Sequence, residues 1–340
     1  MTAVTEEAAA AAASRCCCAA EAAAALALLC LAALLLLALV AHMTASGETE
    51  LWLGKQEPQF LDPVTGARRL FPTRHDPASL ALSVIVPAYN EEERMPAMLD
   101  EAMKYLEDRK KRDGKFSYEL IVVDDGSKDK TTEVALGYVE RFGAERVRVL
   151  TLQRNRGKGG AVKRGMFCAR GESLLMADAD GATKFPDLEK LEAAQKEILG
   201  REPGLLAISC GSRAHLEQDS IAQRSYLRTL LMYGFHFLVW LLCVRGVRDT
   251  QCGFKLLSRA AALRTFSNLH VERWAFDVEL LYIAQCLSIP VAEVAVRWTE
   301  IEGSKLTPFW SWVQMGRDLL FIRLRYLTGA WRLEPVDKQE

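Results

Sequence analysis

Residues 118–127 read YELIVVDDGS, a run of aliphatic side chains that ends abruptly in two aspartates, a glycine and a serine. A short, uninterrupted apolar run of this kind fits a strand covered on both faces. The next segment, KDKTTEVALGYVERFG (128–143), spaces its apolar residues for a helix and closes on glycine. The same unit occurs on either side. Upstream, LSVIVPAYN (82–90) leads into the helical pattern EEERMPAMLDEAMKYLEDRKKRDG (91–114). Downstream, RVRVLTLQRNRGKGG (146–160) is a third strand entering a Gly-rich turn, AVKRGMFCARG (161–171) a third helix, and ESLLMADAD (172–180) a fourth strand. Strand and helix alternating through short links predict βαβ units and a mostly parallel, mixed sheet in an α/β fold.

In such sheets ligands sit beyond the carboxyl ends of the strands. Each conspicuous polar cluster falls at an end of that kind: Asn90-Glu91-Glu92, Asp124 to Ser127, Asn155 to Gly160, and Asp178 to Asp180. Four clusters along one edge predict a site there. On an extended strand, side chains i and i+2 share a side, so Asp178 and Asp180 would address one ligand. Hard Mg²⁺ or Mn²⁺ bridged to a substrate phosphate suits two such carboxylates; a solvated turn is the plainer reading. Asp124 and Asp125 can accept from a ribose hydroxyl or a base imide N–H, or cap the following helix. Arg154, Arg156, Lys158, Lys163 and Arg164 surround the Gly-rich turn, which suits phosphate at a helix start or forms a solvated basic face. Its spacing matches neither a Walker A loop nor the dinucleotide fingerprint, which argues against an ATPase and a nicotinamide-dependent oxidoreductase. The 340 residues carry a formal net charge of −1 and are 50% hydrophobic. That balance fits a core-forming protein and argues against nucleic acid as a partner.

SVIVPAYNEE (83–92), VVDDGSKD (122–129), NRGKGGAVKRG (155–165) and ADADG (177–181), in this order, resemble the family 2 glycosyltransferases with the GT-A nucleotide-sugar fold. GSR (211–213), RDTQCGFKLLSR (248–259), RWAFDVELLY (273–282) and VRWTEIEGSKL (296–306) narrow the resemblance to members that glucosylate dolichyl phosphate. It covers residues 80 to 328 and implies an inverting transfer of glucose from UDP-glucose, supplying N-glycan precursor assembly, with Mg²⁺ or Mn²⁺ as cofactor. By the resemblance, Pro87, Tyr89, Glu91, Asp124 and Asp125 line the uridine pocket, and Asn155 and Lys158 also serve the donor. Asp178 and Asp180 then face the metal and the donor diphosphate. Ala182 stands where related mannosyltransferases carry a Gln ligand, so water or a residue such as Asp249 would complete the metal shell. The acceptor is a phosphate monoester with a second pKa near ~6, already an anionic nucleophile at neutral pH. The site therefore needs cations more than a base. Arg213, Lys255 and Lys163 are the expected acceptor-phosphate residues, with Lys158 and Lys305 as further cations. Asp249, Asp277 and Glu279 would orient them. The expected catalytic set is Asp180, Asp249, Arg213, Lys255 and Asp277. A GDP-mannose-dependent mannosyltransferase and an inactive membrane-bound scaffold of the same fold are the alternatives.

Residues 22–41, AAAALALLCLAALLLLALVA, are 20 uncharged apolar positions, the length of a membrane span. A cleaved signal peptide has a shorter apolar region, about 7–15 residues, and no clear cleavage pattern follows Ala41. The expected division is a tail (1–21), a transmembrane anchor (22–41), a linker with little regular structure (42–80), a catalytic domain (81–306) and an amphipathic membrane-interface helix with its tail (307–340). Residues 229–244, TLLMYGFHFLVWLLCV, read as a core helix, an interfacial helix or part of a re-entrant pair. Arginines interleave with aromatics in residues 307–327, as in a helix lying on a membrane surface. The nine cysteines include no C-x-x-C pair after residue 18, which predicts reduced thiols rather than a disulfide framework. Arg15 and Lys55 set the orientation only weakly. With the resemblance, these features predict a single-pass protein of the endoplasmic reticulum membrane whose catalytic domain faces the cytosol. A homo-oligomer is compatible with the sequence, which sets no oligomeric state.

Overall fold

The computed structural model describes residues 27–29, 31–44, 58–201, 206–216, 226–301 and 308–333. A small hairpin of β1 (Gln59–Leu61) and β2 (Arg68–Leu70) precedes the strands β3 (Leu80–Ala88), β4 (Tyr118–Asp124), β5 (Val147–Thr151) and β6 (Gly171–Met176). They are followed by β7 (Ile208–Ser212), β8 (Lys255–Ser258) and β9 (Val291–Ala295). Among the described residues the larger sheet has the order β5-β4-β3-β6-β8-β7-β9. All neighbours are parallel except β8, which runs against both β6 and β7. The sheet is mixed and mostly parallel, as its aliphatic runs predict.

The helices that cover it are α2 (Met95–Arg112), α3 (Thr131–Phe142), α4 (Lys158–Phe167), α5 (Leu188–Arg201), α7 (Arg259–Ser267) and α8 (Phe276–Cys286); α1 is residues 31–43, α6 is Tyr226–Leu242 and α9 is Pro308–Leu327. Helix α4 packs on β3 and β4, while α5 packs on β7, β8 and β9. Every residue of β4 is buried, Glu119 and Asp124 included, which explains the aliphatic run Leu120 to Val123.

Register brings the strand ends together. Ala88 lies opposite Asp124, and Asp124 opposite Thr151, so β3, β4 and β5 finish side by side. Met176 lies opposite Lys255, and Lys255 opposite Cys210. Because β8 is reversed, its first residue, Lys255, lands on the edge where its neighbours end.

Three expectations need correction. Strand β6 stops at Met176, so Asp178 and Asp180 lie in the turn beyond it and not in alternation along a strand. The apolar Ala177 and Ala179 had extended the run past its true end. Helix α4 begins at Lys158 rather than Ala161, which puts the cation of the Gly-rich turn in the first helical turn. The segment read as a linker contains the β1–β2 hairpin, whose Phe60 and neighbouring Phe71 are buried and meet edge to face.

The chain divides into two compact units, one of Met1–Gly47 with Phe321–Arg332 and the other of Glu48–Leu320 with Leu333–Glu340. In the smaller unit, Arg325 donates to the carbonyls of Ala41 and Thr44 and stacks over Phe321 and Trp331. Leucines at 28, 29, 31, 34, 35, 36 and 39 are exposed. Among the described residues no helix is long and apolar enough to cross a membrane. Residues 22–26 and Cys30 of the expected anchor lie outside the described residues, as do Arg15, Cys16 to Cys18, Lys55 and Lys305. In the larger unit, α6 buries Phe235 and Val239 and exposes Tyr233, Phe237, Trp240 and Leu241. Cys168, Cys210, Cys243, Cys252 and Cys286 are free thiols, as expected.

At the opposite end of the strands a buried carboxylate ties four segments. Glu119 accepts from the Ser83 hydroxyl at 2.5 Å and from the Arg170 backbone N–H at 2.6 Å, and it pairs with Arg148 and with the Arg170 Nε at 3.0 Å. The Arg148 guanidinium also lies over Phe60 and Phe71, fastening the hairpin. Burial, with Arg170 nearby, pushes Arg148 down to about 9. Removing the carboxylate would leave that cation buried without its partner. Glu119→Ala is therefore expected to destabilise the fold by about 3–5 kcal/mol, read from the urea midpoint; a loss below about 1 kcal/mol would sink the structural role.

Candidate active site

The site begins with Asp125, the residue after β4. One of its carboxylate oxygens accepts from the Arg156 N–H at 2.7 Å and the other from the Gly157 N–H at 2.8 Å. This joint holds the Gly-rich turn against the end of β4. Gly157 has φ +91°, a left-handed conformation that disfavours side chains, and a Cβ there would also press on the Glu272 carbonyl at 2.7 Å. The turn thus has room to lie against residues 272–273, and the Gly160 N–H donates to the same carbonyl at 2.9 Å. Burial drives the Asp125 carboxyl up to about 6, against the pull of its two N–H donors.

Asp124 does a neighbouring job. Its Oδ1 accepts from the Ser127 N–H at 2.9 Å, and its Oδ2 accepts from the Thr132 hydroxyl, shaping the loop into α3. Asn90 reaches across: its N–H donates to Ser127 Oγ at 2.9 Å, and its Oδ1 accepts from the Lys128 N–H at 2.8 Å. The Glu91 carboxylate is held by Arg94 through two bonds of 2.8 and 2.6 Å. Pro87 is buried and Tyr89 half-buried at this edge, while Asn155 is exposed and donates to the Asp125 carbonyl at 3.2 Å.

Beyond β6, Lys158 Nζ lies 2.6 Å from Asp178 Oδ1, and the Asp178 side chain is 33% exposed. Burial opposes the Lys158 charge, yet Asp178 and Asp277 hold its ammonium above the usual lysine range. Asp180 accepts the Ala182 N–H at 3.0 Å. Burial raises its carboxyl, and the charge of Asp178 adds to the effect, while Lys158 and Arg94 offset part of it. The two acids of D-x-D are therefore close enough to repel, with two cations in attendance.

The remaining expected residues divide by exposure. Arg213 grips Asp249 in a fork, Nε to Oδ2 at 2.7 Å and Nη2 to Oδ1 at 2.9 Å, and its guanidinium lies over Trp298. Both Asp249 oxygens are thereby engaged by Arg213. Burial opposes ionisation of Asp249, but Arg213 holds it below the usual carboxylate range. Lys255 is fully buried, donating to the Cys252 carbonyl and to Asp277 Oδ1, each at 2.6 Å. Lys163 is also buried; it donates to the Leu269 carbonyl at 2.7 Å, and burial pushes it down to about 8. Glu279 accepts from the N–H groups of His270 and Val271, so it shapes a turn.

Three contributors carried no chemical signal in the sequence. Gly253 lies so close to Asp178 that a Cβ there would overlap the carboxylate. Arg94, hidden among the acids of EEER, feels both Asp178 and Asp180. Trp298 comes to the D-x-D turn because Thr183 bridges to it, with the Thr299 N–H donating to the Ala182 carbonyl at 2.9 Å.

The model for glycosyl transferase family 2 matches residues 83–262. The dolichyl-phosphate beta-glucosyltransferase of Mus musculus is 65% identical over 302 residues, covering 89% of this chain and 93% of that protein. The chain belongs to glycosyl transferase family 2, with the dolichyl-phosphate beta-glucosyltransferases. The Drosophila melanogaster protein of that name is 62% identical, covering 84% of this chain and 87% of its own. Among solved structures, glucosyl-3-phosphoglycerate synthase from Mycobacterium tuberculosis with UDP aligns at 20% identity and a TM-score of 0.47, covering 79% of this chain and 90% of that one. The family assignment rests on the model and the curated relatives, not on that superposition.

Two outcomes follow for this glycosyltransferase. The clash at Gly253 involves the tip of a side chain, so Gly253→Ala should leave the fold intact by circular dichroism while displacing Asp178. Transfer is expected to fall about 100-fold, the scale set by a misplacement of about 1 Å; unchanged turnover would show that Asp178 need not hold its place. The raised pKa of Asp125 means that this carboxyl favours the folded state below about pH 4 and loses that contribution as pH rises through about 6. The amide signals of Arg156 and Gly157 should accordingly titrate with a midpoint near 6 in a nitrogen-15 spectrum; a midpoint near the ordinary value of about 3.9 would contradict this.

Proposed function

We propose that the chain moves glucose from UDP-glucose to dolichyl phosphate with inversion at the anomeric carbon, giving a β-linked lipid product for N-glycan precursor assembly. One observation carries the reading: on the edge where β3, β4 and β6 end, paired carboxylates and a half-buried lysine converge, in a chain 65% identical to a protein named for that reaction. The Asp124 and Asn90 loops with Pro87, Tyr89 and Glu91 take the uridine, and Asn155 and Lys158 take the donor phosphates.

Asp178 and Asp180 fit a divalent ion: both are oxygen donors, one side chain is part open, and their mutual repulsion leaves room for added positive charge. Among the described residues no group of three or more His, Cys, Asp or Glu side chains is arranged to hold a metal. A Mg²⁺ or Mn²⁺ ion here would draw its other ligands from diphosphate and water, and it would supply charge neutralisation on the leaving diphosphate. The chain's own residues do the rest. Arg213, with its side chain 33% exposed and forked by Asp249, is the cation for the acceptor phosphate. Its exposure favours it over Lys255 and Lys163, whose ammonium groups are buried and donate to carbonyls. Lys255 and Asp277 form an internal pair whose role is to hold the floor of the site beside Lys158. The acceptor phosphate is anionic at neutral pH, so Asp249 and Asp277 act as positioning residues and no base is needed.

The lipid tail keeps the acceptor in a bilayer, so the catalytic edge works at a membrane surface. The exposed leucines of α1 and the exposed aromatics of α6 support this, and the proposed setting is the cytosolic face of the endoplasmic reticulum membrane behind a single span. Purified full-length protein with dolichyl phosphate in detergent, given labelled UDP-glucose or GDP-mannose in parallel, should form labelled lipid from UDP-glucose. Product from GDP-mannose alone would overturn the donor assignment, and product from neither would overturn the activity.

A further inference from the structure

One oxygen of Asp178 is already engaged within the chain. Oδ1 holds the Lys158 ammonium at 2.6 Å, and the carboxylate lies flush against the backbone of Gly253, which has no side chain to fend it off. The lysine has little freedom elsewhere: it opens α4, its turn is pinned by Asp125, and only 16% of its side chain is exposed. Asp277 lies near enough to act on the same ammonium, and it is itself paired with Lys255 at 2.6 Å. A positive charge therefore already occupies the place on Asp178 that a divalent ion would take.

We propose that Lys158 is a latch on the D-x-D pair, an internal cation that blocks the metal until a nucleoside diphosphate arrives. This rests on the proposed metal–diphosphate reading of Asp178 and Asp180. The diphosphate offers the ammonium a more strongly charged partner, so Lys158 moves from Asp178 to the phosphates as Asp178 becomes free for the ion. Each ligand then favours the other. The same salt bridge keeps two mutually repelling carboxylates stable before nucleotide binds, where Asp180 would otherwise face Asp178 with only the Glu91-paired Arg94 to offset it. The residue is thus a positioning and ordering element, distinct from a lysine that merely adds affinity for phosphate.

The latch predicts a reversal of sign that simple phosphate binding does not. Mn²⁺ binding, followed by electron paramagnetic resonance with the full-length protein, should be weak without nucleotide and markedly tighter with UDP. In Lys158→Met, Mn²⁺ alone should bind about tenfold more tightly than in the wild type, and the help given by UDP should shrink correspondingly. Lys158→Gln, which keeps a hydrogen-bond donor but no charge, should behave in the same direction and guards against a misfolded Met variant. If both variants bind Mn²⁺ alone no better than the wild type, the latch is wrong. If Asp180→Asn binds Mn²⁺ as the wild type does, the ion does not use this pair, and the metal reading falls together with the latch.

Discussion

The two N–H groups that end on the Asp125 carboxylate are the joint from which the site hangs. A Gly-rich turn has many conformations, and ordering it costs backbone entropy. Here the cost is offset by two charge-assisted bonds inside a buried setting, where such bonds are strong. The turn leaves β5 and enters α4 at a defined point, so Lys158 is delivered to Asp178 by backbone geometry rather than by chance reach of a long side chain. The raised carboxyl of Asp125 is the consequence of drying that joint.

Two other buried acids extend the same logic. Asp124 shapes the loop into α3 and Glu279 shapes the turn at residues 270–271, next to the 272–273 stretch against which the Gly-rich turn lies. Carboxylates that look like candidate catalysts are in these cases the pins of loops, and the loops then present the groups that meet a ligand. The cations are graded from the inside outward, Lys255 in the interior, Lys158 half way and Arg213 the most exposed, each beside its own aspartate.

Much of this was legible in the chain because strand ends in an α/β sheet are marked twice, by the loss of aliphatic residues and by the arrival of acids or glycines. YELIVVDDGS and LSVIVPAYN end close to where their patterns predict. The fourth strand misled for a simple reason: Ala177 and Ala179 are as apolar as strand residues and conceal a turn. The β1–β2 hairpin escaped because strands of three residues are too short to display a period. Lys163 and Lys255 read as cations for the acceptor phosphate, since lysine is rarely buried without a partner, and nothing local announces a partner over 20 or 100 positions away. Gly253 and Arg94 matter only through what approaches them, which no single-residue property encodes.

The one reversed strand has a further consequence. Along β8 alternate residues face opposite sides, so a shift of its pairing by a single position would turn Lys255 out of its pocket and rotate Leu256 in. Asp277 would then be left buried without its counter-ion, a larger penalty than a misplaced leucine. The Lys255–Asp277 pair therefore proofreads the assembly of the sheet: only the correct alignment of β8 with β6 and β7 lets a buried charge find its counter-ion. The pair that holds the floor of the site is thus also the one that favours the correct register of the sheet.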